Sequence, residues 1–255
     1  EQWGIDVLQR MKGMFAFVIH DKKASRLFGA RDHVGIKPLY FICSDGRFSF
    51  SSELKSLRNL PWFDDALNYQ SIYHYLSFQC IPAPVTIFHN VSKLPPAHKF
   101  SFDLQKQTLE MSRYWSVSAD VPSSQKNLSR SELKQFVRDE FESSVKRWML
   151  SDVPLACSLS GGIDSSIILA LMTKHSKDKI STYSLGFSDS PEIDERKLAG
   201  EIAKYWGSNH HEIVIESENL LEALPSMIDS LDEPYAGGLP SWFIYKAMKG
   251  KEKVC

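Results

Sequence analysis

The sequence predicts a protein in two parts: a β-rich α+β part, then an α/β part in which a parallel sheet is covered by helices on both faces. Three observations predict it. Up to about residue 115, apolar β-rich runs are separated by short polar turns. From residue 129 onward, helical and strand patterns alternate. Between Val153 and His175 lies a short buried strand, a polar loop centred on Gly161 and Gly162, and a helix starting near Asp164 or Ser165. The expected division is 1–115, a linker over 116–128, and 129–255.

In the first part, the run at 13–20 and the run at 26–30 flank a polar turn and predict a hairpin. A second hairpin is predicted from 38–43 and 47–51, where Asp45-Gly46 supplies the positive-φ residues of a tight turn. Short helices are expected over 52–60 and 69–78, the latter exposing little besides Gln70, Ser71 and His74. Prolines at 82, 84, 95 and 96 enforce extended connections, and the last strands are expected at 99–104 and 108–115.

The polar, aperiodic stretch 116–127 reads as linker. Ser129 and Glu132 have the spacing of a capping box, and apolar residues at 133, 136, 137, 141, 145, 148 and 149 form a stripe expected to pack on a sheet. Strands at 180–187 and 211–215 alternate with helices at 194–206 and 220–231. Ligands of such sheets bind at the C-terminal ends of the strands, which places the 158–165 loop and Leu185–Phe187 at one rim. Neighbouring His210 and His211 point to opposite faces of a strand, so a hydrogen-bonding role is expected over a shared metal. Asp232-Glu233-Pro234 reads as a turn after a helix.

Composition excludes several classes. With 43% hydrophobic and 24% charged residues, the chain is globular, and no apolar run reaches the ~20 residues of a membrane span. A net charge of -1 offers no general attraction to nucleic acid or an acidic membrane. The four cysteines, at 43, 80, 157 and 255, form no Cys-x-x-Cys pair, so a reduced cytoplasm is expected. Residue 1 is not methionine and Lys-Val-Cys at 253–255 reads as a strand beginning, so an internal piece of a longer protein is expected.

The loop carries the chemistry. Gly161 and Gly162 let a ligand approach the backbone, hydroxyls at Ser158, Ser160, Ser165 and Ser166 can donate to oxyanions, and the following helix opens with unpaired N–H groups. Phosphate fits best. The Walker spacing and its lysine are missing, as is the dinucleotide fingerprint. An acid in such a loop, Asp164, makes sense when Mg²⁺ bridges it to phosphates. The residues alone leave a second reading open, a glycine-rich strand-to-helix turn with Asp164 as helix cap.

Ser-Gly-Gly-Ile-Asp-Ser at 160–165 resembles the PP-loop of ATP pyrophosphatases, which activate a carboxyl or carbonyl oxygen by transferring AMP to it. A second resemblance lies upstream: Gly-Met-Phe-Ala-Phe at 13–17, Ala-Arg-Asp-His-Val-Gly-Ile-Lys-Pro-Leu-Tyr-Phe at 30–41, Ser-Ser-Glu-Leu-Lys-Ser-Leu at 51–57, Lys-Leu-Pro-Pro-Ala-His at 93–98 and Tyr114-Trp115. In this order, ahead of the PP-loop, they resemble the glutamine-hydrolysing asparagine synthetase family.

The resemblance implies part of an N-terminal-nucleophile αββα sandwich followed by part of a doubly wound, adenine nucleotide alpha hydrolase-like PP-loop domain. It implies glutamine, ATP and aspartate as substrates, Mg²⁺ as cofactor, and a homodimer for the intact protein. Leu159, Ser160, Gly161, Gly162, Asp164, Ser165 and Leu185 would bind ATP and pyrophosphate, with Asp164 also on the metal; without the resemblance Leu159 and Leu185 read as core. Asp32 matches the aspartate that pairs with the α-ammonium of glutamine, and without the resemblance it reads as ion-paired or capping a turn before Gly35. Residue 1 is Glu, so the nucleophilic cysteine is expected upstream; a catalytic lysine and a second nucleotide motif are expected downstream. The same plan serves β-lactam synthetases and amidotransferases of sugar acids or polysaccharides, and a catalytically inactive nucleotide-binding module is a further alternative.

Overall fold

The computed structural model describes residues 2–118, 122, 125, 127–190, 194–235, 238–252 and 255, apart from the side chains of 217–219 and 238–239. The linker positions 119–121, 123, 124 and 126, and the expected strand start at 253–254, lie outside the described residues. Two compact units form, Glu1–Asp120 with Leu231–Ala236, and Val121–Ser230 with Gly237–Cys255.

The first unit contains β1 (Ala16–Asp21), β2 (Arg26–Arg31), β3 (Tyr40–Ser44), β4 (Arg47–Ser51), α1 (Leu54–Leu57), α2 (Tyr69–Phe78), β5 (Ser92–Lys93), β6 (His98–Asp103) and β7 (Thr108–Arg113). Antiparallel pairing gives one sheet in the order β1-β2-β6-β7 and another in the order β4-β3-β5. Both expected hairpins are present, and the second turns through Asp45 and Gly46 at φ 50° and 72°.

Alternation along β3 divides the core. Phe41 joins Phe48, Phe100 and Phe102 between the sheets, with the Phe48 and Phe102 rings stacked at 4.9 Å. Tyr40 and Ile42 point the other way, to Leu54 and Leu57 of α1. The helix α2 has the expected bounds but the opposite orientation: Ser71 is buried, whereas Tyr69, Tyr73, Leu76 and Phe78 are exposed. Apolar residues surround this helix, so periodicity could not select a face. Asn68 sets the entry, its side chain accepting from Ser71 N–H at 3.2 Å while its own N–H donates to the Ile87 carbonyl at 2.8 Å.

The second unit contains α3 (Arg130–Trp148), β8 (Ala156–Ser158), α4 (Ile163–His175), β9 (Ser181–Phe187), α5 (Arg196–Trp206), β10 (Asn209–Ile215), α6 (Ser217–Ser230) and α7 (Gly238–Met248). The strands are parallel in the order β10-β9-β8. Leu169 and Met172 of α4 and Ala199 and Ala203 of α5 cover one face with Cys157 and Leu159. Ile244 and Met248 of α7 pack with Ala156, Tyr183 and Ile213 on the other, so the sheet is doubly wound.

The capping box at Ser129 forms as its spacing requires. The stripe of α3 meets the core over the sheet at Val145, which clusters with Cys157 and Leu159, and not along its whole length. Helix α3 lies on α4, which already occupies that face; Val145 reaches the core while Leu133, Phe136, Val137, Phe141 and Trp148 stay exposed. Glu142 fastens the helix pair, meeting Lys174 at 2.6 Å and His175 at 2.8 Å, and these partners hold its carboxyl below the usual range. Among the described residues, no helix is long and apolar enough to cross a membrane.

Candidate active site

The loop leaving β8 is built from the sheet outward. Leu159 N–H donates to the Tyr183 carbonyl at 2.8 Å, which extends the parallel pairing by one residue and draws the Leu159 side chain into the core at 1% exposure. The chain departs at Ser160. Gly161 takes φ +82°, and a Cβ there would stand 3.0 Å from Leu198 Cγ and 3.1 Å from the Ala199 nitrogen. A left-handed backbone and a close neighbour together require glycine.

Gly162 is the N-cap of α4, and no side chain caps it. Asp164 therefore does not have the capping role that the residues alone left open. The first helical bond runs from Ser166 N–H to the Gly162 carbonyl at 3.1 Å, so the N–H groups of Ile163, Asp164 and Ser165 lie ahead of the intrahelical ladder. They form the positive end of the α4 dipole.

The hydroxyls close on the loop itself. Ser160 N–H donates to Ser165 Oγ at 3.3 Å, the two serine oxygens are 3.1 Å apart, and Gly162 N–H donates to Ser160 Oγ at 3.3 Å. Ser165 and Ser166 hydroxyls donate to the Gly162 carbonyl at 3.2 and 2.6 Å. Rotation about one bond redirects each of these hydroxyls to an anion. Gly161→Ala is expected to destabilise the second unit by about 1–2 kcal/mol, the cost of a non-glycine residue in this backbone region; denaturant unfolding checks it.

Asp164 is exposed in the first turn of α4, and Ser165 is half-buried beside it. Among the described residues, no group of three His, Cys, Asp or Glu side chains could hold a metal unaided. Mg²⁺ characteristically binds one or two carboxylates together with phosphate oxygens. A single carboxylate beside the open N-terminus of a helix fits that pattern. Leu185, half-buried on β9, lies two residues beyond the strand residue whose carbonyl receives Leu159, so the loop and Leu185 share one rim.

Asp32 lies in the other unit, fully buried. Its Oδ1 accepts from Val34 and Ile36 N–H at 3.2 and 2.9 Å, and its Oδ2 from Phe15 and Lys37 N–H at 3.3 and 2.9 Å. Burial pushes this carboxyl up, but the four backbone donors outweigh burial and hold it below the ordinary carboxylate range. These are the contacts of the turn-capping reading. Adjacent Arg31 donates to the carbonyls of Lys37, Leu94 and Gly35 at 2.7, 2.7 and 2.6 Å, and its own carbonyl accepts from the Tyr114 hydroxyl at 2.7 Å. Four of the five upstream motifs, those at 13–17, 30–41, 93–98 and 114–115, thus meet around Arg31 and Asp32.

His210 bridges hydroxyls, Nδ1 with Thr182 Oγ1 at 2.9 Å and Nε2 with Ser184 Oγ at 3.1 Å, while His211 stacks on Tyr183. The two imidazoles are separately engaged, as strand alternation predicts.

Two arrangements escaped sequence reasoning. Asp232, grouped with the first unit, accepts from the N–H groups of Leu54 and Lys55 at the start of α1, at 3.0 and 3.2 Å, and Glu233 meets Lys93 at 2.8 Å and the Tyr40 hydroxyl at 3.1 Å. Asp194 grips Arg196 over Gly186 of β9. The second had a signal, an acid just ahead of an amphipathic helix; the first had none, because its partners are 140 to 193 residues away.

Two family models match the chain: a glutamine amidotransferase domain over residues 1–115 and asparagine synthase over residues 136–255. A putative glutamine-hydrolysing asparagine synthetase of Methanocaldococcus jannaschii is 31% identical over 244 residues, 94% of this chain and 46% of that protein. Glutamine-hydrolysing asparagine synthetase 1 of Bacillus subtilis is 32% identical over 250 residues, 96% of this chain and 38% of that protein. The chain spans less than half the length of these curated relatives.

Proposed function

Because this chain belongs to the asparagine synthase family, with a glutamine amidotransferase domain ahead of part of the asparagine synthase domain, we propose that its protein is a glutamine-dependent, ATP-consuming ligase that converts a carboxylate, aspartate first among candidates, into its amide. Glutamine is hydrolysed in the first domain, and the ammonia released is the nucleophile of the second. There the acceptor carboxylate attacks the α-phosphorus of ATP, pyrophosphate departs, and ammonia displaces AMP from the acyl-adenylate.

The observation that carries this reading is the loop geometry. Three N–H groups ahead of the α4 ladder, a left-handed Gly161, two serine hydroxyls and no lysine suit a departing pyrophosphate, whose developing charge pre-placed donors stabilise. Asp164 would hold Mg²⁺, which when bound neutralises phosphate charge. Leu185 supplies half-buried apolar surface at that rim, whereas the Leu159 side chain lies in the core and leaves its backbone to the loop. The glutamine role of Asp32 rests on its motif; its carboxylate already caps the turn, so an ammonium would share oxygens that the backbone occupies.

The test is the product pair. With ATP, aspartate and glutamine, the complete protein is expected to release AMP and pyrophosphate and to exchange labelled pyrophosphate into ATP when aspartate is present. Release of ADP and phosphate instead would overturn the reading, and exchange driven by another carboxylate but not by aspartate would overturn the acceptor assignment.

A further inference from the structure

The first turn of α5 forms a wall of the loop, since Leu198 and Ala199 are the residues that a Cβ on Gly161 would meet. The N-cap of that turn, Glu195, makes no side-chain cap bond. Asp194 does the tethering. Its Oδ1 accepts from Arg196 N–H at 3.0 Å, its two oxygens accept from Arg196 Nε at 2.9 Å each, and its Oδ2 accepts from Nη2 at 2.5 Å.

The pair is also fixed to the sheet. It lies where a side chain on residue 186 would be, so that a Cβ on Gly186 would collide with Asp194 Oδ1 and Arg196 Nε. Arg196 Nη1 reaches Glu212 Oε2 of β10 at 3.9 Å. Both members are mostly buried, at 16% exposure for Asp194 and 22% for Arg196. A forked guanidinium on a carboxylate specifies direction as well as distance, which a lysine cannot reproduce.

We propose that the Asp194–Arg196 pair is a positioning element for the pyrophosphate loop: it holds the first turn of α5 against β9 and β10, and that turn holds Gly161 in its left-handed conformation. The inference rests on the reading of the loop as a pyrophosphate site. Neither residue is assigned a contact with ATP. The pair acts through Leu198, Ala199 and Gly161 on the Ser160 and Gly162 amides, whose hydrogen bonds close the loop.

The experiment uses the complete protein carrying Arg196→Gln, Asp194→Asn or Arg196→Lys, with two readouts. In ATP–pyrophosphate exchange, Arg196→Gln and Asp194→Asn are expected to lower kcat at least about tenfold, within the roughly hundredfold that a misplacement of about 1 Å can cost, while KM for ATP moves by less than about threefold. Arg196→Lys recovers part of the rate. In hydrogen exchange, which needs no chemistry, the 160 and 162 amides exchange faster in Arg196→Gln while glutaminase rate and melting cooperativity stay at wild-type values. Unchanged kcat together with unchanged amide exchange overturns the proposal. So does faster exchange spread evenly over the second unit, which marks a general structural tie. If the wild-type protein exchanges no pyrophosphate, the functional reading fails, and the amide data still decide the positioning role.

Discussion

Asp164→Asn is expected to abolish ATP–pyrophosphate exchange while glutaminase activity persists. Asparagine matches the shape of aspartate, and Gly162 rather than residue 164 is the N-cap, so α4 keeps its start. What disappears is the negative charge beside the proposed phosphate site. Charge-assisted bonds are worth ~1.5–3 kcal/mol each, so loss of the Asp164 carboxylate is expected to cost on the order of a hundredfold in rate or more. Incorporation of labelled pyrophosphate into ATP measures this, and glutamate release from glutamine measures the other half in the same preparation. Wild-type exchange in the variant would remove Asp164 from the metal role. Parallel loss of both activities would indicate misfolding, which circular dichroism distinguishes.

Asp32→Asn is expected to destabilise the first unit by about 3 kcal/mol at neutral pH. The carboxylate accepts four backbone N–H bonds in a fully buried position, and an amide in its place has one acceptor oxygen and an NH₂ facing donors. The pH dependence has a definite sign. The folded carboxyl sits below its ordinary value of about 3.9. Its stabilisation is therefore fully present above that value and is lost as pH falls through the lower, folded value. Denaturant unfolding of wild type and variant should differ most at pH 7, and the gap should narrow progressively below about pH 4. A gap of constant size down to pH 2 would show that the charge of Asp32 contributes nothing.

Local chemistry was legible in the sequence wherever neighbours in the chain decide the outcome. Asp45-Gly46 makes its turn with its own two positive-φ residues, and Ser129 and Glu132 cap α3 with atoms three residues apart. The strand, loop and helix around Gly161 follow from the same short-range logic. Position 161 was readable as glycine-requiring, but the reason was only half visible. Its left-handed backbone is local; the pressure from Leu198 and Ala199 comes from a helix more than thirty positions later.

Faces were less legible than elements. The helix α2 carries apolar residues all round, so its pattern holds no direction, and the burial of Ser71 depends on how Asn68 and the Ile87 carbonyl set the entry. The stripe on α3 has a clear period, yet a stripe specifies a partner surface and not which surface. The main partner is α4, which itself covers the sheet beside β8.

The sequence by itself determined the order of the two parts, the hairpins, the alternation that demands a parallel sheet, and a glycine-containing strand-to-helix loop whose residues, 159 to 165, are contiguous. Only the tertiary structure decided that four backbone amides converge on Asp32, that Asp232 and Glu233 join the first unit, and that the Asp194–Arg196 pair lies over Gly186 of β9. The physical reason is range. Backbone angles and caps are set by covalent neighbours, whereas burial, carboxylate partners and helix faces depend on surfaces that meet only after the chain has packed.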